Sequence, residues 1–138
     1  MPDPGGGSDK ARRVVLLIDE DPKSGRLARL SLHGPSCQVV ASSRYQEGLR
    51  MAARFKPDLI LLETRFKGID GFELAEKLRA APETGQSAIA FISSVDSVSR
   101  HVQAIQLGAV DYLVKPVEGK VLSERVQRIL ARLADSPP

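Results

Sequence analysis

Five side chains in this sequence could do chemistry together, and each closes or follows a run of apolar residues. Val14-Val15-Leu16-Leu17-Ile18 runs into Asp19-Glu20, and Leu59-Ile60-Leu61-Leu62 runs into Glu63. Ala88-Ile89-Ala90-Phe91-Ile92 leads to Ser93, and Tyr112-Leu113-Val114 leads to Lys115-Pro116. If the four runs are parallel strands, their ends meet at one edge of a sheet. An acidic pair, a lone carboxylate, a hydroxyl and an ammonium then share one shallow pocket. Carboxylate oxygens suit a hard divalent cation. A cation with a fixed ammonium is what neutralises charge building on a phosphoryl group.

The elements that must position these groups are legible in the pattern. Short, nearly continuous Val/Ile/Leu runs mark strands covered on both faces, here Arg13–Ile18, Gln38–Ala41, Leu59–Leu62, Ala88–Ile92 and Asp111–Val114. Helical periodicity falls between them, over Pro22–Leu32, Tyr45–Phe55, Phe72–Ala81, Val98–Leu107 and Lys120–Leu133. Asp21 is placed to cap the first helix with Pro22 at its first position, and Gly108 to end the fourth. The fourth helix carries Val98, Val102 and Ile105, with Val98 and Val102 expected mainly in the core. Five strands alternating with five helices predict a doubly wound α/β fold with a parallel sheet. Ligands in such sheets bind beyond the carboxyl ends of the strands, where the strand order reverses.

The joint spacing of Asp19-Glu20, Glu63, Asp70-Gly71, Ser93, Tyr112 and Lys115-Pro116 resembles the receiver domain (CheY-like) of two-component response regulators, over roughly residues 12–133. The resemblance implies a flavodoxin-like (βα)5 fold with strand order 2-1-3-4-5. It gives Asp19, Glu20 and the backbone carbonyl of Arg65 to Mg²⁺, and Glu63 to the phosphoacceptor position. Ser93 falls on the hydroxyl that contacts the phosphoryl group, Tyr112 on the aromatic switch residue, Lys115 on the lysine and Pro116 on a cis peptide that aims it. The family's acceptor is an aspartate, so Glu63 is one methylene too long. Arg65 brings a guanidinium beside the metal position, and Lys67 stands where the family commonly has a proline.

The expectation is a receiver-like signalling module of a phosphorelay pathway, a pseudo-receiver acting by protein–protein interaction and not as an enzyme. A misplacement of about 1 Å can cost on the order of a hundredfold in rate. Glu63 either pairs with Lys115 and imitates the phosphorylated state, or is captured by Arg65 and leaves the pocket inert. Partners would be a histidine kinase, a phosphotransfer protein, a downstream effector or a second copy. The meeting surface would be that of the fourth helix, fifth strand and fifth helix, including Val98, His101, Val102, Tyr112 and parts of Lys120–Arg132. The alternative is an active phosphoacceptor taking a phosphoryl group at Glu63 or at a nearby carboxylate such as Asp19.

Composition narrows the other classes. The 138 residues, 42% hydrophobic and 27% charged, make one globular domain's worth of chain. No apolar stretch reaches a membrane span, no signal segment opens the chain, and Cys37 is single, so the expected compartment is the cytoplasm. The net charge of +3 is scattered and only 4% of residues are aromatic, which argues against a nucleic-acid groove. No glycine-rich or Ser/Thr-rich loop follows the first strand to cradle a phosphate, which argues against a flavodoxin-like small-molecule binder such as a flavin protein. His33 and His101, without Cys or His neighbours at ligand spacing, are expected on the surface. Residues 1–11 are expected to be a disordered leader and 134–138 a disordered tail, with no output domain attached.

Overall fold

A computed structural model describes residues 12–135. Its elements, in chain order, are β1 (Arg13–Ile18), α1 (Pro22–Leu32), β2 (Cys37–Ser42), α2 (Tyr45–Phe55), β3 (Leu59–Leu62) and β4 (Arg65–Phe66). Then follow β5 (Ile69–Asp70), α3 (Gly71–Ala80), β6 (Ala88–Ser93), α4 (Val98–Leu107), β7 (Asp111–Val114) and α5 (Gly119–Asp135). Five strands form a parallel sheet in the order β2-β1-β3-β6-β7. Counted among these five strands alone, that is the expected 2-1-3-4-5.

Side chains alternate across the strands, so the sheet buries two cores. Val15, Leu17, Leu59 and Leu61 pack with Leu122, Val126 and Ile129 of α5 and with Ala28 of α1. Leu16, Ile18, Ile60 and Leu62 pack with Ala52 of α2, Leu74 and Leu78 of α3, and Ala104 of α4. Register sets the site. Ile18 lies beside Leu62, and Leu62 beside Phe91, so Asp19 and Glu63 emerge side by side. The Glu63 amide donates to the Ile18 carbonyl at 3.1 Å, carrying the ladder one residue into the site. Lys115 follows β7 with its amide donating to the Ser93 carbonyl at 2.8 Å.

Local signals behave as their chemistry requires. Asp21 accepts from the Lys23 amide with Pro22 at the first turn, and Gly108, at φ 86°, closes α4. The small hairpin of β4 and β5 was not foreseen. It turns through Gly68 at φ 91°, a conformation glycine adopts without a Cβ penalty.

Two expectations are corrected. Val98, Val102 and Ile105 do not enter the core: they are 81%, 44% and 75% exposed. Helix α4 instead turns the small Ala104 into the core and lays the partly exposed His101 ring over Tyr112, because this neighbouring stripe fits over the Tyr112 and Phe91 rings. The final helix runs through Asp135, so the boundary expected after residue 133 falls inside α5, and only residues 136–138 of the expected tail, like the leader 1–11, lie outside the described residues. His33 ends α1, and its Nδ1 accepts the Val39 amide at 3.1 Å, tying the helix to β2. His101 stacks on Tyr112 with ring centroids 4.2 Å apart. Both histidines lie at the surface as expected, His33 exposed and the His101 side chain 41% exposed, while making these contacts.

Candidate functional site

The side chains that close β1, β3, β6 and β7 converge as the spacing implied. Lys115 extends from the end of β7 and bridges two carboxylates. Its Nζ donates to Asp19 Oδ2 at 2.6 Å and to Glu63 Oε1 at 2.9 Å. Asp19 and Glu63 are almost wholly enclosed, with side chains 2% and 8% exposed, while Lys115 keeps 21%. The Lys115–Pro116 bond is cis. These groups line a cleft of about 420 Å³ that also touches Glu20, Arg65, Lys67 and Ser94.

The second oxygen of Glu63 is held just as firmly. Oε2 accepts from the Thr64 amide at 2.6 Å and from the Thr64 hydroxyl at 3.1 Å. Thr64 Oγ1 meets Ser93 Oγ at 2.6 Å, and Ser93 Oγ lies 2.9 Å from the Val95 amide. Tyr112 completes the series, its hydroxyl donating to the Val95 carbonyl. The hydrogens can be ordered. A carboxylate only accepts, so the single Thr64 hydroxyl hydrogen points to Glu63. Between Thr64 and Ser93 either hydroxyl can donate; with the Thr64 hydrogen on Glu63 it comes from Ser93, whose oxygen accepts the Val95 amide.

Electrostatics follow from these contacts. Burial pushes the Glu63 carboxyl up, but the Lys115 ammonium, the Thr64 amide and, more weakly, the Ser93 hydroxyl outweigh it, so Glu63 titrates below the ordinary glutamate range. Burial likewise lowers Lys115, yet Asp19 and Glu63 pull it above the usual lysine value. Glu63 and Lys115 therefore stay charged against each other across the neutral range.

Mg²⁺ is the ion the resemblance brings to this place, and the donor set has the right chemistry but the wrong engagement. Asp19 Oδ1 accepts the Asp21 amide at 2.9 Å and Oδ2 is taken by Lys115. Glu20 Oε2 accepts the Lys67 amide at 2.9 Å. Among the described residues, no group of three or more His, Cys, Asp or Glu side chains is placed to hold a metal ion. The ammonium of Lys115 supplies the positive charge instead. As arranged, the residues do not fit the cation.

Of the residues singled out in the sequence, Asp19, Glu20, Glu63 and Lys115 line one cleft, Ser93 lies buried behind it in contact with Thr64, and Tyr112 and Pro116 flank it on other surfaces. Arg65 sits at the rim, where its guanidinium reaches toward Ser94 Oγ at 3.4 Å and not to Glu63. Of the two alternatives the sequence left open for Glu63, pairing with Lys115 is formed and capture by Arg65 is not. Two contributors were missed. Thr64 gave no signal, because a hydroxyl after an apolar strand is usually a local hydrogen-bonding residue. The departure at Lys67 was visible, but its consequence was not: a proline there has no N–H to hold Glu20.

The fold and this constellation define a class, and the sequence bears it out: residues 15–127 match the family described as the response regulator receiver domain. The chain belongs to that family. It is 34% identical over 118 residues to the transcriptional regulatory protein AfsQ1 of Streptomyces coelicolor, covering 86% of this chain and 51% of that one. It is 36% identical over 119 residues to the positive alginate biosynthesis regulatory protein of Pseudomonas aeruginosa, covering 83% and 46%. The chain thus spans about half the length of these curated relatives. Among solved structures, it resembles a putative response regulator from Chloroflexus aurantiacus, with TM-score 0.77, 30% identity and coverage of 88% and 99%. Receiver domains are signalling modules of two-component systems that meet histidine kinases and effectors, and they typically bind Mg²⁺ in the acidic pocket.

Proposed function

We propose that this chain is a pseudo-receiver whose switch is set by Glu63 itself, and that it signals by binding other proteins instead of by accepting a phosphoryl group. One observation carries this reading. The Glu63 carboxylate already holds the two contacts that the resemblance assigns to a phosphorylated acceptor: Lys115 directly, and Ser93 by way of Thr64. Tyr112 is drawn in at the same time, its hydroxyl on Val95 and its ring under His101. The extra methylene fills the space of the incoming group, and one negative charge stands in for the nearly two of a phosphate. The resting protein is on-like, and it is a binding module and not an enzyme.

The working surface is α4–β7–α5. Among the exposed residues of α4, Val98, Ser99, Val102, Gln103, Ile105 and Gln106 are all uncharged. In a chain with 27% charged residues, that face is suited to a protein partner, an effector or a second copy. Among the described residues, no helix is long and apolar enough to cross a membrane.

The test is phosphorylation read by intact mass, with acetyl phosphate and Mg²⁺ or with a histidine kinase as donor. Wild type is expected to gain nothing. Glu63→Asp is expected to gain one phosphoryl group, because the shorter carboxylate reopens the space and slackens the Lys115 bridge, so that Asp19 can turn an oxygen to the added Mg²⁺ while Ser93 stays in place. Stoichiometric phosphorylation of wild type would overturn the reading and make the protein an active phosphoacceptor.

A further inference from the structure

Resting on that reading, we infer that Thr64 is the positioning residue joining Glu63 to the switch: its hydroxyl stands between carboxylate and Ser93, where a phosphoryl oxygen would otherwise be. Thr64 is fully buried, and nothing in its type or place in the sequence assigned it a role.

Three features hold it there. Its own amide is spent on Glu63 Oε2, and its carbonyl accepts the Gly71 amide at 2.8 Å. Gly71 presses the loop against the start of α3. A Cβ added at Gly71 would lie 2.2 Å from the Glu63 carbonyl oxygen and 2.6 Å from Thr64 Cα, so the backbone has no room to swing. The hydroxyl, enclosed on all sides, must also be paired, since an unsatisfied buried polar group is costly. It is paired twice, as donor to Glu63 and acceptor from Ser93.

The chain of hydrogen bonds then has one direction. Ser93 gives its hydrogen to Thr64 and offers its lone pair to the Val95 amide, and Val95 gives its carbonyl to Tyr112. Remove the Thr64 hydroxyl and Ser93 loses the acceptor that turns it toward the carboxylate. Glu63 would keep Lys115 and lose the buried relay through Thr64, leaving only the weaker direct influence of Ser93 to couple it to Tyr112. A valine keeps the shape of threonine and deletes only the link; a serine keeps the link.

The experiment is NMR of the isotopically labelled full chain, with the Tyr112 ring signals assigned through Tyr112→Phe. Thr64→Val is expected to shift the Tyr112 ring and Val95 amide resonances, while Thr64→Ser leaves both near their wild-type positions. A folded Thr64→Val protein with unshifted Tyr112 and Val95 signals overturns the inference. If Thr64→Val does not fold, wild type decides: slowly exchanging Thr64 and Ser93 hydroxyl protons in mutual contact support the link, and their absence from the folded protein overturns it. Intact mass keeps the two readings apart. Phosphorylated wild type with a responsive Tyr112 sinks only the functional reading; unphosphorylated wild type with a silent Thr64→Val sinks only the Thr64 link.

Discussion

Replacing Lys115 by methionine is the most direct test of how the pocket is balanced. The substitution keeps an unbranched side chain of similar reach and removes the one cation bridging Asp19 and Glu63. Both carboxylates are nearly enclosed, so they would face each other without compensation. Breaking a buried ion pair from one side costs about 3–5 kcal/mol. Lys115 is 21% exposed beside an open cleft, so water relieves part of that loss. The lower end, about 3 kcal/mol at about pH 7, is the expected cost. For a domain of this size that is a fall in Tm of about 10 °C. The sign of the pH dependence is fixed by the two shifts. Glu63 is depressed, so its contribution is present above the unfolded glutamate value and is lost as pH falls through the lower folded value. Lys115 is raised, so its contribution is full below the unfolded lysine value and is lost as pH rises through the higher folded one. The gap between variant and wild type should be widest in the neutral range and close in acid, where Glu63 takes up a proton. Millimolar Mg²⁺ should narrow it at neutral pH, since two freed carboxylate oxygens then invite a cation. Urea unfolding followed by circular dichroism across this range measures it. A neutral-pH difference below about 1 kcal/mol, within the range of exposed pairs, would refute a desolvated bridge. So would a gap that stays constant into acid.

Two further outcomes follow from the packing. Gly71→Ala should destabilise by about 1–3 kcal/mol or more, because the new methyl collides with the backbone of Glu63 and Thr64; unfolding by denaturant reads this, and a neutral result would mean that the loop gives way. Ile105→Glu should leave stability within about 0.5 kcal/mol while weakening any self-association seen by sedimentation, since the side chain is 75% exposed; a large fall in Tm would place it in the core after all.

Much of this was open to a reader of the sequence. Strand ends, helix caps and the convergence of Asp19, Glu63, Ser93 and Lys115 follow from local rules: apolar runs of strand length, Asp21 before Pro22, Gly108 after a helical stripe. What could not be read was side-chain direction within the crevice. The sequence left Glu63 to choose between Lys115 and Arg65, two cations equally able to pair with it. The choice is made by Lys115 rising between the enclosed ends of β1 and β3, while Arg65 is carried to the rim by the β4–β5 hairpin.

The outward turn of α4 was likewise decided elsewhere. Residues 98, 102 and 105 make one helical stripe, and 101 and 104 make an adjoining one, so periodicity alone does not say which faces the sheet. The Tyr112 and Phe91 rings on the neighbouring strands accept a flat imidazole and a small methyl, not three branched side chains. Thr64 and the Lys67 amide belong to the same kind of information. The amino-acid order determined the fold and which groups meet, because strand register is a local and repetitive property. The pairing of each oxygen with its donor was left to the tertiary structure, because it depends on backbone segments distant in the chain pressing together.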